Sequence, residues 1–284
     1  MEYKAYYVEE SDGVFSSSIQ NLEIPKPKDG ELLVSVSYSS LNYKDALCAK
    51  GVKGVAASYP FVPGIDAVGE VVESNSSEFE VGEKIVVTGY DLGMNTSGGF
   101  GQYISIPSNW AISLPKDLSG AEAMSIGTAG LTAGLCVRKL LMNDLSPDSG
   151  DILVTGASGG VGSVAVMILS KLGFRVTALT GKTDQIDYLK SLGASSVIMR
   201  SEMEELGKPL QKGIYQGVVD TVGGSILSNF ISLTSQRGVI TCCGNVASDK
   251  LQTSVFPFIL RGVALIGIDS AESLLEVKNE IWNN

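Results

Sequence analysis

The densest chemical signal in the chain is a run of small residues, Thr155-Gly156-Ala157-Ser158-Gly159-Gly160-Val161-Gly162. It follows the apolar stretch Ile152-Leu153-Val154 and precedes apolar residues at helical spacing, Val164, Val166, Ile168, Leu169 and Leu172. A strand that turns over glycine into a helix brings bare backbone amides and the positive end of the helix dipole to one point, where a phosphate can be held. The glycines recur as GxxGxxG rather than GxGxxG, so the strand–turn–helix setting carries the reading more than the spacing does. A second strand, FRVTALT at 174–180, follows and ends on Thr180-Gly181-Lys182. An NAD-selective site usually places Asp or Glu there, on the ribose hydroxyls. A hydroxyl and an ammonium suit a 2′-phosphate instead, which favours NADPH. Ser158, Gly159, Gly160, Val161, Thr180, Gly181 and Lys182 are the cofactor candidates from this segment; the bland alternative is an ordinary glycine-rich loop with a solvated lysine.

The missing residue types are as informative. There is no histidine, which removes Ser-His-Asp and Cys-His catalysis, HExxH zinc sites and imidazole proton shuttles. The four cysteines, Cys48, Cys136, Cys242 and Cys243, lack the spacing of a disulfide framework or a zinc lobe and read as core residues. The formal charge of −10 argues against a nucleic-acid partner, which needs a basic face. No apolar stretch is long enough for a membrane span and the N-terminus lacks a signal-peptide pattern. A soluble, cytoplasmic protein is expected.

Two rhythms position these residues. Up to about residue 118 the chain is β-rich: short runs at 33–38, 67–74, 84–90, 101–107 and 111–115 are separated by turn residues such as Asp29-Gly30 and Ser97-Gly98-Gly99. Ser119 and Glu122 form a capping box for a long buried helix reaching about Lys139, followed by a loop over 143–150. Thereafter strands at 151–155, 174–179, 196–199, 214–219, 237–242 and 263–268 alternate with helices at 160–172, 184–192, 201–207 and 224–234. That alternation predicts a doubly wound parallel sheet.

Taken together, TGASGGVGSVAV, YLKSLGAS, GTAGLTA (127–133) and VVDTVGG (218–224) resemble the medium-chain dehydrogenase/reductase superfamily. SSLNYKDAL (39–47), PFVPGIDAVGEV (60–71) and FPFILRGVALIGIDS (256–270) narrow the resemblance to the quinone-oxidoreductase-like branch of YhdH/YhfP-type acrylyl-CoA reductases. The resemblance implies an α/β chain with a GroES-like β-rich catalytic domain over 1–120, a Rossmann NADPH-binding domain over 121–270 and an active-site cleft between them. Residues 271–284 would begin a return to the catalytic domain. In the family that return adds several dozen residues, so the chain is expected to be truncated. Homodimers through the cofactor domain are usual. Zinc alcohol dehydrogenases carry a Cys-His pair where this chain has Asn42-Tyr43-Lys44-Asp45, and Gly-His-Glu where it has Gly64-Ile65-Asp66. Zinc is therefore not expected.

The implied reaction passes a hydride from the nicotinamide to the β-carbon of an alkene conjugated to a carbonyl, with acrylyl-CoA the leading substrate. Tyr43 is the expected proton donor or enolate partner, helped by Lys44; Asn42 and Asp45 would orient the substrate, and water is the alternative proton source. By position, Thr128, Gly223, Gly244, Asn245, Ile268 and Ser270 join the cofactor set. Arg261, Lys50 and Lys53 are candidate anchors for coenzyme A phosphates. Rival readings are a quinone reductase and a non-enzymatic NADPH-binding sensor or crystallin-like protein.

Overall fold

Asp12 and Gly13 both hold positive φ, 52° and 79°, the backbone of a two-residue hairpin turn. They fold β1 (Glu2–Ser11) antiparallel onto β2 (Val14–Glu23). The computed structural model describes every residue except Lys53 and Ala57. The chain divides into two compact units, Met1–Leu131 with Ser270–Asn284, and Thr132–Asp269.

In the first unit β3 (Glu31–Tyr38), β4 (Asp66–Ser74), β5 (Lys84–Thr88), β6 (Tyr103–Pro107) and β7 (Ile112–Ser113) make an antiparallel sheet in the order β6-β3-β4-β5-β7. Alternation along these strands turns Leu32, Val34, Val71, Ile85, Val87, Ile104 and Ile106 into one core. Between β3 and β4, Asn42 caps a short helix, α1 (Tyr43–Ala49). The next helix, α2 (Gly120–Met142), starts on the expected box: Ser119 N–H donates to Glu122 at 2.8 Å, and Glu122 N–H to Ser119 Oγ at 3.2 Å. The helix breaks at Gly127, whose φ of 50° and ψ of −156° lie outside helical values.

The second unit is built on β8 (Ile152–Val154), α3 (Gly160–Lys171), β9 (Val176–Thr180), α4 (Ile186–Ser191), β10 (Ser196–Met199), β11 (Tyr215–Asp220), α5 (Gly224–Leu233), β12 (Thr234–Cys242), α6 (Phe256–Arg261) and β13 (Ala264–Gly267). Its six strands are parallel in the order β10-β9-β8-β11-β12-β13, the doubly wound arrangement. Ile152, Leu153 and Val154 are all fully buried, which is why β8 reads as a continuous apolar run. Alternate residues feed different cores, Ile152 and Val154 with Val166 and Leu169, Leu153 with Val218 and Phe230. All four cysteines are free.

Several expectations are corrected. The helix expected at 201–207 is only a 3-10 turn, Arg200–Met203. Buried Asn229 explains it: its amide donates to the carbonyls of Met203 and Glu205, and its oxygen accepts from Gly207 N–H. That side chain takes the place of helical bonds. The helix over 184–192 is a 3-10 turn, Thr183–Gln185, followed by α4. The hairpin, α1, α6 and the last helix, α7 (Leu275–Trp282), are further elements beyond the sequence reading. The compact units divide after Leu131, within α2, and after Asp269.

In the first unit, α7 buries a lysine. Lys278 is 0% exposed; its Nζ donates to the carbonyls of Thr88 and Ala271, both at 2.8 Å, and lies 3.2 Å from the centre of the Tyr90 ring. Tyr90 in turn stacks on Trp110. An ammonium is tolerated there because its donors and the ring face replace water. Lys278→Met is expected to lose about 2–4 kcal/mol of stability, read as a lower urea midpoint; an unchanged midpoint would mean the contacts are incidental.

Candidate functional site

In the second unit the glycine turn is shaped by close backbone approach. Gly156 holds φ +58° and a Cβ there would overlap the Thr221 hydroxyl; a Cβ on Gly162 would overlap the Gly156 carbonyl. Helix α3 can thus start tight against the turn. Its N-cap, Gly159, provides no side-chain cap, and Gly159 and Gly160 are exposed. The first amides of α3 are left for an anionic ligand, so the cradle fits a pyrophosphate. Val161 is half-buried and packs on the core.

The turn is laced to β11. Thr155 Oγ1 donates to Asp220 Oδ1 at 2.7 Å and accepts from Thr221 N–H at 3.0 Å, while Thr221 Oγ1 donates back to the Thr155 carbonyl. Asp220 is fully buried and its second oxygen accepts from Gly223 N–H at 2.9 Å. Gly223, at φ 74°, lies where a Cβ would sit 2.6 Å from the Ser248 carbonyl, and a Cβ on Gly244 would overlap the Thr221 carbonyl. The loops after β11 and β12 therefore pack backbone to backbone at the carboxyl end of the sheet, where doubly wound folds bind ligands. Asn245 is exposed on that edge, and Ile268 N–H donates to the Cys242 carbonyl at 2.9 Å. Ser270 groups with the other unit.

At the end of β9, Thr180 Oγ1 is held 2.9 Å from Ser158 Oγ and accepts from Lys182 N–H at 3.1 Å. Gly181 and Lys182 are exposed. The sequence reading missed Arg200. Its guanidinium lies so near Gly181 that a Cβ there would be 3.3 Å away, and its partner Glu204 is half-exposed. Strand order was the available signal, since Arg200 follows β10, the neighbour of β9. Arg261 has a different task from the anchoring role expected of it: its guanidinium donates to the carbonyls of Ser232, Thr234 and Gln211, tying off the end of α5. Lys50 is exposed, and Lys53 lies outside the described residues.

In the first unit a polar cluster forms around two buried carboxylates. Asp45 accepts from Asn42 N–H at 2.8 Å and from Ile65 N–H at 3.0 Å. Asp66, absent from the sequence-based candidates, is 0% exposed. Its Oδ2 accepts from Asn42 Nδ2 at 2.8 Å and Thr128 N–H at 2.9 Å, and its Oδ1 from Thr128 Oγ1 at 2.5 Å. Thus the structure brings Asn42, Asp45 and Thr128 together. Tyr43, the first residue of α1, is 69% exposed and stands apart from the cluster's bonds; Lys44, beside it, is half-buried.

Comparison with known proteins identifies the family. The model of the alcohol dehydrogenase GroES-like domain matches residues 28–116, and that of the zinc-binding dehydrogenase family matches residues 160–281. The probable acrylyl-CoA reductase AcuI of Escherichia coli is 40% identical over 98% of this chain and 86% of its own length. The chain belongs to the medium-chain dehydrogenase/reductase superfamily, in its YhdH/AcuI-type branch. The putative quinone oxidoreductase YhfP of Bacillus subtilis is 45% identical over 90% of this chain and 78% of its own. Its structure with NAD bound superposes with a TM-score of 0.95, covering 99% of this chain and 86% of that one. The yhdH oxidoreductase of Salmonella enterica, solved in complex with NADP, is 40% identical with a TM-score of 0.95, over 98% and 86% of the two chains. The GroES-like β-rich domain and the Rossmann-type parallel sheet expected for this superfamily are both present.

The buried acids of this family member have a measurable consequence. Burial pushes the pKa of Asp45, Asp66 and Asp220 up, opposed in each by hydrogen bonds; Asp66 also raises Asp45 by repulsion. A carboxyl raised in the folded state binds more protons there than when unfolded. Stability therefore falls as pH rises from about the ordinary value of 3.8 to the raised native value, and levels off above it. Asp220→Asn is expected to make this pH dependence of the melting midpoint shallower. An unchanged slope would place Asp220 outside the titration.

Proposed function

We propose that the protein is an NADPH-dependent reductase of carbon–carbon double bonds conjugated to a thioester carbonyl, with acrylyl-CoA as the leading substrate and no zinc. The observation that carries the cofactor reading is the uncapped α3 N-terminus beside Thr180, Lys182 and Arg200, an amide cradle next to two cations. The name acrylyl-CoA reductase borne by the Escherichia coli relative supports the substrate class, and the NADP complex of the Salmonella protein supports the cofactor. The Bacillus relative's NAD complex makes the choice of cofactor a direct experimental question.

When bound, the dinucleotide supplies the hydride. The chain's own residues hold it: Ser158, Gly159, Gly160 and Val161 at the pyrophosphate, and Thr180, Gly181, Lys182 and Arg200 at the 2′-phosphate. Gly223, Gly244, Asn245, Ile268 and Ser270 complete the proposed set; Thr128, expected in it by position, turns its hydroxyl onto Asp66 instead. Asn42 and Asp45 position the substrate; Tyr43 and Lys44 remain proposed participants at its edge. Zinc does not fit the residues present. At the family's metal positions Asn42 and Asp66 bond to each other, Asp66's oxygens are already taken by Asn42, Thr128 and Ser40, and the chain has no histidine. Among the described residues no group of three His, Cys, Asp or Glu side chains converges.

A homodimer is part of the reading. Strand β13 is the open edge of its sheet, and nearby α6 exposes Phe256, Ile259 and Leu260; a second copy would cover both. We also place the protein in the cytoplasm, consistent with the absence among the described residues of any helix long and apolar enough to cross a membrane. A quinone as acceptor is the second reading, favoured by the name of the Bacillus relative.

The test follows NADPH and NADH absorbance with acrylyl-CoA, a quinone or no acceptor. Rapid loss of NADPH only with acrylyl-CoA is expected; loss only with quinone would replace this reading by the second. Removing both cations (Lys182→Ala with Arg200→Ala) is expected to raise the KM for NADPH about 10–100-fold while leaving that for NADH within about threefold. Equal effects on both cofactors would contradict the 2′-phosphate assignment.

A further inference from the structure

After a hydride reaches the β-carbon, the enolate needs a proton, and the buried cluster of the first unit offers a route. We propose that Thr128 and Asp66 form a proton relay to the substrate α-carbon, Thr128 touching the substrate and Asp66 acting through it; this rests on the reductase reading above. As the new α C–H bond forms, the Thr128 O–H bond breaks. The Asp66 Oδ1–H bond then breaks and its proton restores the Thr128 hydroxyl. Asp66 is left as a carboxylate and regains a proton from water after product leaves.

The arrangement of donors assigns the proton-bearing oxygen. Asn42 Nδ2 and Thr128 N–H are obligate donors, and both point to Oδ2. Oδ1 faces the Thr128 hydroxyl at 2.5 Å, a contact that works with the proton on either oxygen. With Asp66 ionised, Thr128 donates inward; with Asp66 protonated, the Thr128 proton is released to donate outward. Asp66 is 0% exposed, whereas Thr128 is half-buried. The proton path therefore runs outward through the hydroxyl.

The backbone is bent to make this contact. Gly127 breaks α2 with a positive φ, and a Cβ there would lie 2.6 Å from Asp66 Oδ2. The break releases the Thr128 amide from the helical ladder and turns it onto the carboxyl. Burial raises the pKa of Asp66 against its hydrogen bonds, bringing the acid form nearer to neutral pH. The charged neighbours are Asp45 from α1, a like charge, and Lys278 from α7, held on the carbonyl of Thr88 opposite Asp66 in the ladder. Ser39, which follows β3, donates to the Asp66 carbonyl, while the Ser40 side chain bonds the carboxyl and, with the other donors, opposes the rise.

The test uses Asp66→Asn, Thr128→Val and Thr128→Ser in the full chain. Both Asp66→Asn and Thr128→Val are expected to lower kcat with acrylyl-CoA by about 10²–10⁴-fold, with the KM for acrylyl-CoA and the NADPH dissociation constant within about threefold of wild type, and Thr128→Ser to recover to within about tenfold. In cofactor-free protein near neutral pH, the infrared band of a protonated carboxyl should be present in wild type and in Thr128→Ser and lost in Asp66→Asn, which reads the acid without turnover. If a band lost in Asp66→Asn is present but wild type reduces no activated alkene, the reductase reading fails while the acid at Asp66 is supported. A wild type without the band, a band that persists undiminished in Asp66→Asn, or folded Asp66→Asn or Thr128→Val protein with wild-type kcat, overturns the relay. Thr128→Val decides the matter if Asp66→Asn does not fold.

Discussion

A carboxyl group taken out of water has to be met by donors, and each unit of this protein is arranged around such groups. Asp220 ends β11 with Thr155 and Gly223 as its partners, and those bonds hold the glycine turn against the neighbouring strand end. Asp66 opens β4, and the chain answers it with Asn42 from the start of α1 and with both the amide and the hydroxyl of Thr128. The break in α2 at Gly127 follows from that demand. The shape of the glycine turn and the polar cluster alike are consequences of satisfying a buried acid, since leaving either acid unpaired would cost several kcal/mol.

The parts legible in the sequence were those whose physics is local. The central strands β8 and β9 announced themselves as apolar runs because both faces are covered, and the turn at 155–162 because only glycine tolerates such approach. The box at Ser119 and Glu122 involves only one turn of chain. The failures were long-range or ambiguous in period. The N-terminal hairpin was missed: β1 alternates and buries Tyr3, Ala5 and Val8, but its partner β2 is largely solvent-facing and reads as polar chain. The acidic segment after β10 was read as a helix, and Asn229, far along the chain, decided otherwise.

The same division runs through the candidate site. The glycine turn proposed to hold the phosphates was readable because it is contiguous. Arg200 was not, because its relevance comes from strand order, and Asp66 was not, because its partners lie 24 and 62 positions away. Arg261 shows the converse: a cation that looked available is occupied by three carbonyls. In the proposed chemistry the family's metal positions are given over to a hydrogen-bonded Asn–Asp pair, and enolate chemistry takes the place of a metal alkoxide.

The central claim is hydride transfer to an activated alkene, and isotopic labelling tests it most directly. The protein would be incubated with acrylyl-CoA and NADPH carrying deuterium on the transferable position of the nicotinamide, and the propionyl product mapped by mass spectrometry and NMR. The account predicts one deuterium on the β-carbon and, in ordinary water, none on the α-carbon, with the α-proton exchanging for deuterium when the solvent is D₂O. Consumption of the labelled cofactor with no deuterium in the acyl product would contradict it.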